Sequence, residues 1–145
     1  MKVSIKGVAV GSITDIVSTN LAMLPLIIYI TFSHAIVGEK PDQVTHMVGE
    51  ILRDNPLYIF LSLFLGGACS VLGGYVSARL AKHDEILNGA CASVLCVTSG
   101  VYGMISGVST TPLWQDIVFL PLGPALAALG GYLRLRQVIG ARKAQ

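Results

Sequence analysis

Four long apolar blocks divide the chain. The first holds one charged residue, Asp15, and the other three hold none. The blocks cover residues 7–32, 57–78, 86–107 and 117–133. A helix needs about 20 mainly apolar residues to cross the hydrocarbon core of a bilayer, and each block reaches or approaches that length with its uncharged flanks. The pattern therefore predicts four membrane-spanning helices.

Continuous apolar runs of this length are typical of helices, whereas membrane β-strands alternate in polarity over about ten residues. We therefore expect an all-α membrane protein, a four-transmembrane-helix bundle in which residues 1–145 form a single integral membrane domain. The predicted spans cover about residues 7–32, 57–80, 86–107 and 114–133.

A shorter amphipathic segment lies between the first two blocks, over residues 41–55. Pro41 is a helix start signal, and Asn55-Pro56 is a stop signal. The apolar residues recur at helical spacing: Val44, Met47, Val48, Ile51 and Leu52. This pattern favours a short helix on the outer membrane face. The helix either connects two spans or forms a lid that gates a path or docks a partner.

Composition strengthens the membrane interpretation. Hydrophobic residues make up 53% of the chain and charged residues 12%, whereas charged residues make up about 25% of an average soluble domain. This balance excludes most soluble folds, disordered tails and nucleic-acid binders. The lipid bilayer is therefore the expected surrounding, and no nucleic-acid partner is expected.

Basic residues are divided unequally between the two sides of the predicted bundle. One side holds Lys40 and Arg53, and the other holds eight residues: Lys2, Lys6, Arg79, Lys82, Arg134, Arg136, Arg142 and Lys143. Because basic residues near span ends favour the cytoplasm, both termini are predicted to be cytoplasmic. The imbalance argues against insertion in both orientations, so any homo-oligomer should be parallel.

Small residues form a stripe on every predicted span. Within lipid, helices associate largely through the close backbone approach that small residues allow. The glycines expected to pack against neighbouring helices are Gly7, Gly11, Gly66, Gly73, Gly74, Gly100, Gly103, Gly130 and Gly131. They predict close helix contacts within the chain, within a homo-oligomer or within a larger membrane complex.

An internal repeat ends the second and fourth blocks. Residues 72–79 and 129–136 share Leu, Gly, Gly, Tyr and the final Arg at an offset of 57. The first and third blocks match poorly, which leaves duplication of a helix pair a hypothesis. Tyrosine and arginine near a span end anchor it at the membrane interface. The anchors expected here are Tyr75, Arg79, Tyr132 and Arg136.

Asp15 is the one acid within the apolar blocks. A charge inside a span costs about 2.5–3.5 kcal/mol on insertion scales, and no lysine or arginine is expected at the same depth on another span. The stripe places Asp15 beside Gly11 and Ser18, with Asn20 nearby. One hypothesis makes Asp15 and Asn20 a proton- or cation-coupling site. The other makes Asp15 part of a hydrogen-bonded polar patch that joins helices.

The remaining reactive residues form no recognisable site. The three histidines are scattered over loops on both sides, too far apart in the predicted topology for one zinc site. The three cysteines lie within spans and are interpreted as small packing residues. No phosphate-binding loop, nucleophile elbow or zinc-protease motif occurs. We therefore expect no enzymatic activity, no metal and no cofactor.

A GGYxxAR…LNG pattern surrounds the short turn after the second span. It consists of residues 73–79 and Ile86-Leu87-Asn88-Gly89, and Ile5-Lys6-Gly7 accompanies it near the N-terminus. In these residues the chain resembles small four-span bacterial membrane proteins of uncharacterised function. The similarity covers most of the chain in layout and a small part of it in motif. It implies a bacterial inner membrane and supplies no catalytic residue.

Two functions agree with these features. The favoured one is a structural or accessory subunit that packs through its glycine faces in a homo-oligomer or a larger membrane complex. The alternative is a small proton- or cation-coupled transporter or channel that uses Asp15 in a parallel oligomer. Small multidrug transporters also carry an acid in their first span. They differ from this chain in length, in the outer segment and in their more balanced charge.

Overall fold

The chain folds into helices joined by short connections. The computed structural model describes residues 2–106 and 113–143, and all regular structure within them is helical. In chain order the helices are α1 (Ile5–Ser33), α2 (Pro41–Asp54), α3 (Pro56–Ala81), α4 (Glu85–Cys91), α5 (Val94–Ser106) and α6 (Leu113–Lys143). The prediction of an all-helical fold is confirmed.

Three helical stretches in the described part of the chain are long and apolar enough to cross a membrane. They are α1, α3 and the stretch Glu85–Ser106, which comprises α4 and α5. These stretches coincide with the first three predicted spans, although Gly107 and the link 108–112 lie outside the described residues. The fourth predicted span lies within α6, which continues beyond it to Lys143.

Local sequence determines where α1 and α3 begin and where α3 ends. Ser4 caps α1, since its Oγ accepts a hydrogen bond of 3.2 Å from an amide of the first turn. Asn55 caps α3 in the same way at 2.9 Å, and Pro56 occupies the first helical position. Lys82 and Asp84 both have positive φ, at 58° and 43°. The chain therefore reverses within a few residues, and α4 returns alongside α3.

The third predicted span is interrupted, which the sequence did not predict. The break falls at Ala92 and Ser93, whose amides donate to carbonyls three residues back at 3.0 and 3.3 Å. Ser12 of α1 stabilises the break, because its Oγ donates to the Ala92 carbonyl at 2.5 Å. Three prolines lie inside α1 and α6 without ending those helices: Pro25, Pro121 and Pro124.

Glycine allows α1 and α3 to approach backbone to backbone. A Cβ on Gly7 would stand 2.9 Å from the Ser77 carbonyl oxygen, and one on Gly11 would stand 2.7 Å from the Gly73 carbonyl oxygen. Both distances are shorter than a real Cβ tolerates, and the atoms opposed are backbone. These contacts therefore require glycine, as expected for helices that associate through small residues.

α6 packs against α3 and α4 through its own pair of glycines. A Cβ on Gly130 would overlap the Val71 carbonyl of α3, and one on Gly131 would overlap the Glu85 carbonyl of α4. From the side of α3, a Cβ on Gly74 would overlap the carbonyl of Ala127. The glycine pair of each repeat copy is thus enclosed by backbone of neighbouring helices.

Three other glycines predicted to pack have looser surroundings. A Cβ on Gly66 would meet nothing within 4 Å in the described part of the chain. The expectation that Gly66 packs within the protomer is therefore not met, because Gly66 faces away from the neighbouring helices, whereas a Cβ on the adjacent Gly67 would stand 3.1 Å from Leu126 Cδ1 of α6. A Cβ on Gly100 would make an ordinary contact of 3.4 Å with the Leu120 side chain, and Gly103 is half-buried.

Burial divides the bundle into two halves along its length. The packed half extends from the start of α1 and the α3–α4 turn as far as Asp15, and it contains the buried residues of α1, α3 and α4 near that turn. The open half comprises residues 16–29 of α1, 56–68 of α3 and all of α5, in which no residue is buried.

The N-terminal segment, the α3–α4 turn and the repeat in α6 meet at one end of the packed half. The Lys2 amide donates to Asp84 at 2.7 Å, and Gly131 lies against Glu85. We call this the basic end. It carries six of the basic residues predicted for the cytoplasmic side: Lys2, Lys6, Arg79, Lys82, Arg134 and Arg136.

α2 covers the opposite end of the bundle. Its Val48 is buried against Ile30 and Ile36, which follow the end of the open half. Three further residues of its apolar face are partly buried in the same cluster: Val44, Ile51 and Leu52. The helix predicted over 41–55 is present as α2, and its apolar face packs on the protein; its position on an outer membrane face stays a prediction.

Candidate functional site

Asp15 lies where α1 crosses α3, and only 2% of its surface is exposed. It faces Gly73, on which a Cβ would stand 2.8 Å from the Asp15 Cβ. The missing side chain on α3 therefore provides the space in which the carboxyl group lies. Gly73 therefore allows both the close helix contact and the burial of the Asp15 side chain at this crossing.

Three neutral side chains donate hydrogen bonds to the Asp15 carboxyl oxygens. Ser70 Oγ of α3 lies 3.2 Å from both Oδ1 and Oδ2. Cys96 Sγ of α5 lies 3.4 Å from Oδ2, and Thr19 Oγ1, one turn along α1, lies 3.5 Å from Oδ1. The carboxyl group thus joins α1, α3 and α5.

No cation accompanies the Asp15 carboxyl group among the described residues. Their ion pairs lie on α2, where His46 is 3.5 Å from Glu50 and Arg53 is 3.8 Å from Asp54. Burying an ionised carboxylate without a counter-charge is costly, and neutral donors relieve that cost only in part. A proton or a small bound cation would remove the charge.

The side chains around the Asp15 carboxyl group are compatible with either a proton or a small cation there. A hydroxyl group can donate to a carboxylate or accept from a protonated carboxyl group, so Ser70 can remain hydrogen-bonded in both states. Carboxylate and hydroxyl oxygens are also ligands that hard cations prefer. The Ser70 hydroxyl group can therefore keep a contact with the Asp15 carboxyl group whichever of them donates.

Asp15 marks the boundary between the packed half and the open half. It is the last buried residue of α1 before Ile30, and beside it on α3 Cys69 is the first buried residue. The helix break at Ala92 lies one turn away on the packed side, held by Ser12. Interrupted spans recur at ion sites in transporters because they leave backbone carbonyls free to coordinate cations.

Asn20, the second coupling candidate, does not join this site. Its side chain is exposed, and its Nδ2 donates to the Ile16 carbonyl of the same helix at 2.7 Å. The donors that do reach Asp15 from other helices are Ser70 and Cys96. The sequence contained both residues in the small-residue stripes of their spans, but nothing in the sequence indicated which of them would face the acid.

The predicted interface anchors lie at the basic end. The Tyr75 hydroxyl donates to Gln137 Oε1 at 2.8 Å, which ties α3 to α6. The Arg136 guanidinium lies 5.9 Å from the centre of the Tyr132 ring, one turn earlier on the same helix. Arg79 and Tyr132 are exposed, as anchoring side chains would be.

Asn88 forms a second buried polar centre, which the sequence analysis did not single out. Its Oδ1 accepts from the Ser4 amide at 2.7 Å. Its Nδ2 donates to three carbonyls, those of Lys2, His83 and Asp84, at 3.2, 2.8 and 3.1 Å. Asn88 therefore binds the chain before α1 to the α3–α4 turn. Its place in the LNG pattern was the available signal.

The described residues contain no group of three histidine, cysteine or acidic side chains that could hold a metal ion. Comparisons with protein-family models, curated proteins and solved structures found no match to the chain. The function is therefore inferred from the site itself.

Proposed function

We propose that the chain is a four-span protein of a bacterial inner membrane with both termini in the cytoplasm. Three stretches of suitable length and apolarity support this topology, and α6 supplies the fourth crossing. The gathering of basic residues at one end supports the orientation, because such residues favour the cytoplasmic side.

Within that topology, the chain acts as a small proton- or cation-coupled transporter or channel that uses Asp15. The observation that carries this function is a buried carboxyl group held by neutral donors from three helices, without a basic partner among the described residues. Intramembrane acids in such surroundings commonly belong to ion or proton pathways. The glycine faces of the packed half are occupied within the protomer, which favours this function over docking through those faces.

The packed half and the open half make the two sides of Asp15 different. The packed half separates Asp15 from the cytoplasm, since α1, α3, α4 and α6 are in backbone contact there. The open half leads outward from Asp15 along residues 16–29, 56–68 and α5, where nothing is buried. In this proposal a proton or cation reaches Asp15 from the outside, along the less densely packed half. Release to the cytoplasm would require the packed half to separate.

Asp15→Asn tests this function in vesicles. The full chain is reconstituted into vesicles that enclose a pH-sensitive dye, and a Na⁺ or K⁺ gradient is imposed. The wild type should change the internal pH in response to one of these gradients. Asp15→Asn should reduce the response to that of protein-free vesicles, because the amide keeps the size of the side chain but cannot exchange a proton.

Asp42→Asn is the matched control, since Asp42 is an exposed acid in the first turn of α2. It should keep the wild-type response. Ser70→Ala retains the carboxyl group and removes the hydroxyl group that touches both of its oxygens, so it should slow the response without abolishing it. A wild-type response equal to that of Asp15→Asn, with both proteins equally helical, would rule out coupling at Asp15.

A second candidate, a structural or accessory subunit, is favoured by one observation. Gly66 faces open space on α3, with the exposed Phe60 and Phe64 on the same helix. An unoccupied glycine on a span allows the close approach of a helix from a second, parallel copy. Gly66→Leu should then convert a purified oligomer into monomers in native mass spectrometry. A monomeric wild type would contradict this function.

A further inference from the structure

A groove of about 580 Å³ lies between α3 and α6 at the basic end. Its lining residues are Val71, Leu72 and Tyr75 of α3 and Leu133, Arg136 and Gln137 of α6. The groove is separate from Asp15, and neither proposed function uses it.

The groove lies beside a close backbone contact between α3 and α6. A Cβ on Gly130 would overlap the Val71 carbonyl and would stand 2.7 Å from the Tyr75 amide nitrogen. Because the two backbones touch here, the large side chains beside the contact diverge to either side of it.

Polarity changes along the groove. Val71 and Leu72 line the part nearer the middle of the span, and Leu72 is 53% exposed. The other part ends at the hydrogen bond between Tyr75 and Gln137 and at the Arg136 guanidinium. An occupant therefore needs an apolar body and a polar, hydrogen-bonding head at the level of the membrane interface.

The charge at the polar end is positive. The ion pairs of the described residues lie on α2, so Arg136 keeps its charge available to an anion. Arg79, Lys82 and Arg134 are at the same end of the bundle. Guanidinium groups bind phosphate through paired hydrogen bonds, so the favoured head is an anionic phosphate.

We infer that this groove binds one anionic phospholipid, with an acyl chain along Val71 and Leu72 and the headgroup phosphate at Arg136. Apolar tails gain little by exchanging lipid neighbours for a protein surface, so the headgroup determines which lipid binds. Basic pockets between helices on the cytoplasmic side select anionic headgroups in this way. The two copies of the internal repeat form the site together, since α3 supplies Tyr75 and α6 supplies Arg136.

Native mass spectrometry of the detergent-solubilised full chain tests the inference. Phosphatidylglycerol should remain bound at lower added concentration than phosphatidylcholine with the same acyl chains. Arg136→Gln should weaken the retention of phosphatidylglycerol about fivefold, as expected for one basic residue at a membrane surface. Leu133→Trp should also weaken it, because the larger ring fills the groove.

Arg134→Gln is the matched control, because it removes the same charge from the same helix at a residue that does not line the groove. It should leave retention within about twofold of the wild type, since its guanidinium group does not line the groove and salt weakens its attraction to a headgroup held at a distance. Equal losses in Arg134→Gln and Arg136→Gln, or equal retention of both lipids, would overturn a specific site. Competition by millimolar inorganic phosphate alone would overturn a lipid ligand. A dimer that Leu133→Trp dissociates would assign the groove to a second copy instead.

Discussion

Gly74→Ala is expected to lower the free energy of unfolding by about 3 kcal/mol, the upper part of the usual range for overpacking. The added Cβ would overlap the Ala127 carbonyl and would stand 2.8 Å from the Ala127 Cα. Backbone atoms of a neighbouring helix cannot rotate away as a side chain can. The contact between α3 and α6 must therefore open along its length, which thermal unfolding in detergent would detect as an earlier transition.

Gly66→Ala provides the comparison on the same helix. The added Cβ meets nothing within 4 Å in the described chain, and alanine is a better helix former than glycine by about 1 kcal/mol. This variant should unfold at the wild-type temperature or slightly above it. Equal destabilisation by the two substitutions would show that the close contact of Gly74 with Ala127 is not the cause of the loss.

Asn88→Ala is expected to have the second large effect, the release of the N-terminal segment together with a loss of at least about 2 kcal/mol in stability. The substitution removes one accepted and three donated hydrogen bonds at a fully buried side chain. Each buried polar group left unsatisfied costs about 1–3 kcal/mol, although groups near the chain end can regain water. Faster amide exchange over residues 2–7 would measure the release.

Two further variants separate the causes of this effect. Asn88→Asp keeps an acceptor for the Ser4 amide but replaces the group that donates to three carbonyls, so it should be as damaging as Asn88→Ala. Asn20→Ala removes an exposed amide that bonds within α1, and it should change stability by less than about 0.5 kcal/mol. Unchanged exchange over residues 2–7 in Asn88→Ala would show that the buried amide does not hold the segment.

The helices could be predicted from the sequence because each depends on local pattern. Apolar blocks with at most one charged residue delimit the long helices, and helical spacing of Val44, Val48 and Ile51 predicts α2. The break at Ala92 could not be predicted, since neither alanine nor serine ends a helix by itself. It depends on a contact from Ser12, which is 80 residues away in the chain.

In the candidate site, too, one part follows from local sequence pattern and another part depends on contacts between distant residues. Asp15 could be identified because an acid is rare in an apolar block. Its partners could not, because the rotation of α3 and α5 about their axes decides whether Ser70 and Cys96 face the acid. Asn88 was overlooked because a polar residue beside the charged turn 82–85 resembles a surface residue. Asn88 becomes buried only because the N-terminal segment folds over it and bonds to it through Lys2 and Ser4.

The two glycine doublets, Gly73-Gly74 and Gly130-Gly131, determine where the chain can accept an inserted residue. Neighbouring residues on a helix point about 100° apart. Gly73 therefore packs against α1, and Gly74 packs against α6. In the second copy of the internal repeat, on α6, Gly130 packs against α3 and Gly131 packs against α4. These four positions therefore place three close contacts of the packed half, those of α3 with α1, α3 with α6 and α6 with α4. Inserting one residue inside either doublet would rotate one contact face away from its neighbour, whereas the open half would accept the same insertion more readily.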